Sequence, residues 1–276
     1  IYLTFIATCQ SHGQSLTKSM HDSFVNLIGI KHFRPGETPS SLGGNSTFIC
    51  NAESTNDEKS YHAVHVRFAK DEGGNGYPKS PRGVYFLDND TQTFIQYSRE
   101  RVLAIFNIGA HYHNFTHYSE DMHTMLKLLS NLNRPRDLVM FRATSPGHDN
   151  CQPRSRSFNW THGTRITPLS SFSEYKVSTP HKYDWDKFEY YNHYTEKLLH
   201  SRNIAGQSPI MHFLDVYNMT VLRQDSHTAP ADCLHFYSPG PVDWWNHLML
   251  TYLQNLPFDN SGVEGVDVFF SDHLCT

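Results

Sequence analysis

The sequence predicts an α/β fold in which a mostly parallel central sheet is covered by helices on both faces. The chain has 276 residues, 38% hydrophobic and 18% charged, which is enough for a substantial core. Short apolar runs of strand length recur at residues 1–8, 62–69, 83–87, 102–108, 138–143 and 210–216. Helical periodicities fall between the later runs, and that alternation is what parallel strands joined by helical crossovers require.

Residues 1–8 (IYLTFIAT) read as a strand buried on both faces, because apolar and β-branched residues do not alternate with polar ones. After the break at Cys9-Gln10-Ser11-His12-Gly13-Gln14, Leu16, Met20, Phe24, Leu27 and Ile28 recur at helical spacing, giving strand, tight turn and helix. Residues 31–60 and the GGNG stretch near residue 75 are rich in Gly, Pro, Ser and Asn and read as loops, not as a domain boundary. Ser119 is a candidate cap for a helix carrying Met122, Met125, Leu126, Leu129 and Leu132, and residues 184–200 and 241–253 form two more helical patterns. A single domain over residues 1–276 is the expected organisation. Because Ile1 opens directly on a core strand, the chain reads as a fragment whose targeting or membrane segment lies upstream.

Composition excludes several function classes. The formal charge of −4, from 23 basic and 27 acidic residues without a Lys/Arg cluster, gives no attraction for polyphosphate, so nucleic acid is not an expected partner. No apolar run reaches the length of a membrane span, so membrane attachment is expected only through a segment outside this chain. The five cysteines form no CxxC pair or zinc spacing. Five sequons, at Asn45, Asn89, Asn114, Asn159 and Asn218, exceed the roughly three expected by chance and tilt the reading toward a glycoprotein of the secretory pathway.

Three places carry residues suited to chemistry, each at the end of a strand, where the working loops of such sheets lie. Ser11 sits where helix N-terminal N–H groups favour a developing negative charge, and it is either a nucleophile or a helix cap. Cys9 is the alternative nucleophile, burial being its ordinary role. Asp232-Cys233-Leu234-His235 places a carboxylate three residues before an imidazole on one loop. The carboxylate can accept Nδ1–H and leave Nε2 to take a proton from a hydroxyl. Asn107-Ile108-Gly109 offers a side-chain amide and a backbone N–H to an oxyanion, or is simply a turn. His111 and His113 lack a third ligand at a recognisable spacing, so no metal is expected.

Taken together, four segments in order resemble one family. Asp232-Cys-Leu-His-Phe-Tyr-Ser-Pro-Gly-Pro-Val-Asp-Trp-Trp-Asn246 is similar to the C-terminal signature of the PC-esterase family, the SGNH-type acyl-esterase domain of trichome-birefringence-like polysaccharide O-acetyltransferases. Phe106–His111, Phe141–His148 and Leu222–His227 resemble its Asn-x-Gly-x-His, Arg-x-Thr-x-Pro-x-His and Leu-Arg-x-Asp-x-His segments. The family's Gly-Asp-Ser nucleophile motif is altered, since Cys9-Gln10-Ser11-His12 keeps Ser-His and lacks Gly-Asp.

The resemblance implies a three-layer α/β/α, SGNH-hydrolase-like (flavodoxin-like) domain. It implies a serine acyltransferase acting on carbohydrate hydroxyls, with an esterase and a catalytically inactive glycan-binding protein as alternatives. Ser11 is the expected nucleophile, with Asp232 and His235 completing the triad and Ser11, Asn107 and Gly109 forming the oxyanion hole. His12, Arg142 and His148 are expected to line the substrate, and no bound cofactor is expected, an acyl donor such as acetyl-CoA being a co-substrate. The place implied is the secretory pathway, in the Golgi lumen or outside the cell. Cys151 and Cys233 lie on loops expected to meet at one rim, which predicts a disulfide between them.

Overall fold

Tyr2–Thr8 forms the strand from which the sheet is built, β1, flanked by β3 (Tyr61–Asp71) on one side and β4 (Val102–Asn107) on the other. The structure, a computed structural model, describes residues 2–8, 20, 23–24, 45–51, 61–71, 102–110, 112–135, 137–148, 151, 167–178, 182–229 and 232–255. The expected strand at 83–87, together with Cys9, Ser11 and His12, lies outside them.

Adding β2 (Asn45–Asn51), β5 (Leu138–Arg142) and β6 (Met211–Leu214) completes a six-stranded sheet of order β2-β3-β1-β4-β5-β6. Every neighbouring pair is parallel except β2 with β3. The parallel strands therefore run outward from β1 in one direction, return, and run outward in the other, which is the flavodoxin-like order. The reversal falls between β1 and β4, where Ala7 stands level with Asn107. All six residues of β4 are buried, so both faces of the sheet are covered, as the α/β/α expectation requires.

The described helices are α1 (Phe115–Asn131), α2 (Phe172–Ser178), α3 (Phe188–Ile204), a short α4 (Tyr217–Thr220) and α5 (Pro241–Gln254). The helix α1 starts a turn before the expected Ser119 cap. Its cap is Asn114, whose side chain accepts the His117 N–H, whereas the Ser119 hydroxyl meets Tyr194 OH at 2.7 Å. Before α3 the chain runs as a 310 helix (Lys182–Lys187), so the helical pattern from residue 184 is two elements. Asp184 there has φ 56°, a left-handed conformation that breaks the regular helix.

Two segments expected to be loops are strands. The Gly- and Ser-rich stretch at 31–60 contains β2, whose Thr-Phe-Ile core pairs antiparallel with β3. The Asp-x-x-His segment is β8 (Asp232–Phe236), paired antiparallel with β7 (His227–Ala229) in a separate two-stranded ribbon. Pairing is a long-range choice, and neither four-to-seven-residue run carries enough periodicity to announce it.

Candidate active site

Asn107 ends β4 at the reversal point, and its side chain is buried. Its Nδ2 donates to the Arg142 carbonyl at 2.8 Å and to Thr144 Oγ1 at 2.9 Å, which ties the end of β4 to the end of β5. An amide nitrogen has two hydrogens, and these two bonds employ both. Thr144 is in turn clamped by α3. The Asn192 side chain accepts the Thr144 N–H at 2.8 Å and donates to the Thr144 carbonyl at 2.9 Å. Gly109 packs against this threonine with φ 153°, and a Cβ at that position would land on the Thr144 hydroxyl.

Arg142 and His148, expected along the substrate, are only 1% and 2% exposed. Neither lines an open surface. The Arg142 guanidinium lies 5.1 Å over the Trp245 ring and donates from Nη1 to the Ala143 carbonyl, so it joins β5 to α5 inside the protein. Burial lowers its pKa. The His148 ring contacts His227 at 2.7 Å and the Val221 carbonyl at 2.8 Å, while its backbone N–H donates to the Cys233 carbonyl at 3.0 Å. Burial pushes the His148 imidazole down to about 4, with the Val221 carbonyl and Asp225 pulling the other way.

The ribbon strand β8 is thereby fastened beside the C-terminal end of β5. Cys151 and Cys233 form the expected disulfide, with Cα atoms 5.5 Å apart. The His227 Nδ1–H donates to the His235 carbonyl at 2.9 Å, and Tyr237 N–H donates to Ser226 O at 2.8 Å. His235 itself is partly exposed.

The helix that follows β8 reaches back to the helical residues Met20 and Ser23. Asn246 on α5 donates to the Met20 carbonyl at 2.9 Å and to Ser23 Oγ at 3.0 Å. The Asp243 carboxylate accepts the Ser23 hydroxyl at 2.7 Å and the Gly240 N–H at 2.6 Å. The described residues on either side of Ser11 are thus Ala7, level with Asn107 on β4, and Met20, held by α5. Asn192, Thr144 and His227 had no assigned part in the sequence reading. Thr144 and His227 left signals, as the Thr of the Arg-x-Thr-x-Pro-x-His segment and the last residue of the Leu-Arg-x-Asp-x-His segment, whereas Asn192 left none.

A profile described as "GDSL/SGNH-like Acyl-Esterase family found in Pmr5 and Cas1p", the PC-Esterase family, matches residues 89–252, more than half of the chain. The chain belongs to the PC-esterase family. This PC-esterase chain is also similar to Arabidopsis thaliana protein trichome birefringence-like 25, at 26% identity over 162 residues, covering 50% of this chain and 33% of the relative. It matches protein trichome birefringence-like 13 of the same plant at 26% over 146 residues, 49% of this chain and 32% of the relative. Xyloglucan O-acetyltransferase 1, again from Arabidopsis thaliana, is 40% identical over 57 residues, 15% of this chain and 14% of the relative. The PC-esterase chain therefore spans about a third or less of the length of these relatives.

Proposed function

We propose that this chain is the acyl-transferring domain of a carbohydrate O-acyltransferase working through an acyl-serine. The observation that carries the reading is the bracketing of the Ser11 segment. Ala7, four residues before Ser11, stands level with Asn107 at the sheet's reversal point, and Met20, nine residues after it, has its carbonyl held by Asn246, eleven residues past His235. In parallel α/β sheets the reversal point is where ligands bind.

Ser11 Oγ attacks the acyl carbonyl of the donor, a thioester such as acetyl-CoA, while His235 takes the hydroxyl proton. Collapse of the tetrahedral intermediate releases the thiolate, to which His235 returns the proton. A sugar hydroxyl then attacks the acyl-serine, again giving its proton to His235, and Ser11 is restored by the same proton on departure. Asp232 holds the imidazole in the productive tautomer. The bulge in the ribbon supports that pairing. Between the pairs His227–Phe236 and Ala229–Asp232, β8 spends more residues than β7, so strict alternation is broken there.

For the oxyanion, the N–H groups of Ser11 and Gly109 serve as donors. Asn107, with its amide engaged by Arg142 and Thr144, fixes the turn that carries Gly109. The acceptor class rests on membership of the PC-esterase family and on the likeness to xyloglucan O-acetyltransferase 1. The disulfide supports an oxidising, secretory compartment.

The test is incubation with an acetyl donor and a panel of glycans, followed by intact mass of protein and products. Acetylated glycan and an acetyl-protein adduct absent from Ser11→Ala are the expected result. Product without a carbohydrate acceptor would make the domain an esterase. Failure of acetyl donors and fluorophosphonates to modify the protein would leave the glycan-binding reading in its place.

A further inference from the structure

The contacts of His148 and His227 require a proton that two neutral imidazoles do not supply. His148 Nε2 lies 2.8 Å from the Val221 carbonyl and His227 Nδ1 lies 2.9 Å from the His235 carbonyl. Carbonyl oxygens only accept, so both of those nitrogens carry hydrogen. The two remaining nitrogens, His148 Nδ1 and His227 Nε2, face each other at 2.7 Å. With neutral rings both would be bare lone pairs, and the contact would be repulsive. One further hydrogen between them turns it into a hydrogen bond and gives the pair one positive charge.

We infer that His227 is held as an imidazolium that donates from Nε2 to a neutral His148 and from Nδ1 to the carbonyl of His235, and so acts as a positioning residue for the proposed general base. The surroundings divide the two rings in that way. His148 is enclosed by Tyr175, with ring centroids 5.3 Å apart, and by the Val221 turn, and its burial disfavours charge. His227 instead stacks on the Phe236 ring at 4.4 Å, an arrangement that favours a cation.

Among the described residues, neighbouring elements bring titratable groups to the pair. Tyr175 from α2 packs edge-on against Tyr217 from α4, ring centroids 6.4 Å apart, and burial raises the Tyr217 pKa. From the 310 turn (Gln224–Ser226), Asp225 supplies a negative charge, itself paired with Arg223 at 2.9 Å. On β8 stand Asp232 and His235, and the His235 carbonyl receives the bond. Asp225 thus lends the pair a negative charge that favours keeping its shared proton, acting on the His148 side. When the pair loses its shared proton at high pH, one of the three bonds must break, and the carbonyl of His235 is the one not locked inside the core.

The inference rests on the acyl-transfer reading only for the consequence in catalysis, so its test has an arm that needs no activity. Ring-nitrogen NMR of the isotopically labelled protein at about pH 7 reads the protons directly. Expected are two protonated nitrogens on His227 and one on His148, with His227 and His235 signals moving together as pH is raised. A bare Nε2 on His227 at that pH overturns the inference, and so does titration of His227 that leaves His235 unmoved. In the acetylation assay, kcat/KM declines about ten- to a hundredfold on the alkaline side in step with His227. His148→Asn, whose side-chain amide N–H can donate to the bare Nε2 of a neutral His227, removes that decline. A decline unchanged in His148→Asn would limit the pair to packing. Absence of turnover in every variant, with the NMR result intact, would count against the acyl-transfer reading and not against the proton.

Discussion

Asn246 donates its side-chain amide to the Met20 carbonyl across 226 positions of sequence, and the same nitrogen reaches Ser23 Oγ. Both ends are buried, so the bond fixes Met20 and Ser23 relative to α5. Asn246→Ala leaves the Met20 carbonyl without this donor, which costs about 1–3 kcal/mol for a buried group. Denaturant unfolding should show that loss, and acyl-enzyme formation should fall more steeply than stability alone explains, because the Ser11 segment loses its far anchor.

The Cys151–Cys233 disulfide closes a separation of 82 residues. In the chain-entropy account a loop of that size contributes about 4 kcal/mol. Cys151→Ala with Cys233→Ala should lower stability by that order under oxidising conditions, while added reductant should lower the wild type and leave the double variant unchanged. Equal thermal midpoints for wild type and variant would show that the bridge carries no stabilisation.

Gly109 adopts φ 153° directly against Thr144. Gly109→Ala meets both an unfavourable backbone and a clash, a combined cost on the order of 2–4 kcal/mol. Thr144→Ala in the same chain relieves the clash and not the backbone, so partial recovery of the thermal midpoint is expected. Full recovery would mean that the backbone conformation is unstrained.

Stability should depend on pH through His148, held down from 6.5 to about 4 by burial. The unfolded chain then binds a proton that the native ring refuses between those two values, so stability rises as pH rises through that window. At 1.36 kcal/mol per unit the gain is about 3 kcal/mol. His148→Asn, which has no titrating ring, should flatten the slope there. Asp184, whose carboxylate is lowered by Lys187 and His113, loses its contribution only at still lower pH, so the two effects separate in a pH series.

The sequence by itself determined the α/β class, five of the strands to within two residues of their observed bounds, the membership of Asp232 and His235 in one short segment, and the Cys151–Cys233 pairing. All but the disulfide are local, and the disulfide follows from the expectation that two strand-end loops share one rim. Apolar runs such as Val102–Asn107 and helical spacing such as Met122, Met125, Leu126 and Leu129 record burial directly, and a motif with fixed spacing needs no knowledge of the fold. Only the tertiary structure decided that Asn107 spends its amide on Arg142 and Thr144, that Arg142 turns inward over Trp245, and that His148 meets His227. It also decided that the Asp-x-x-His segment is a bulged strand held by Cys151, His148 and His227. Each of these depends on partners dozens of residues away. A polar residue at a strand end carries the same letter whether it faces substrate or closes a hydrogen bond in the core, and the choice is made by which neighbours packing brings within 3 Å.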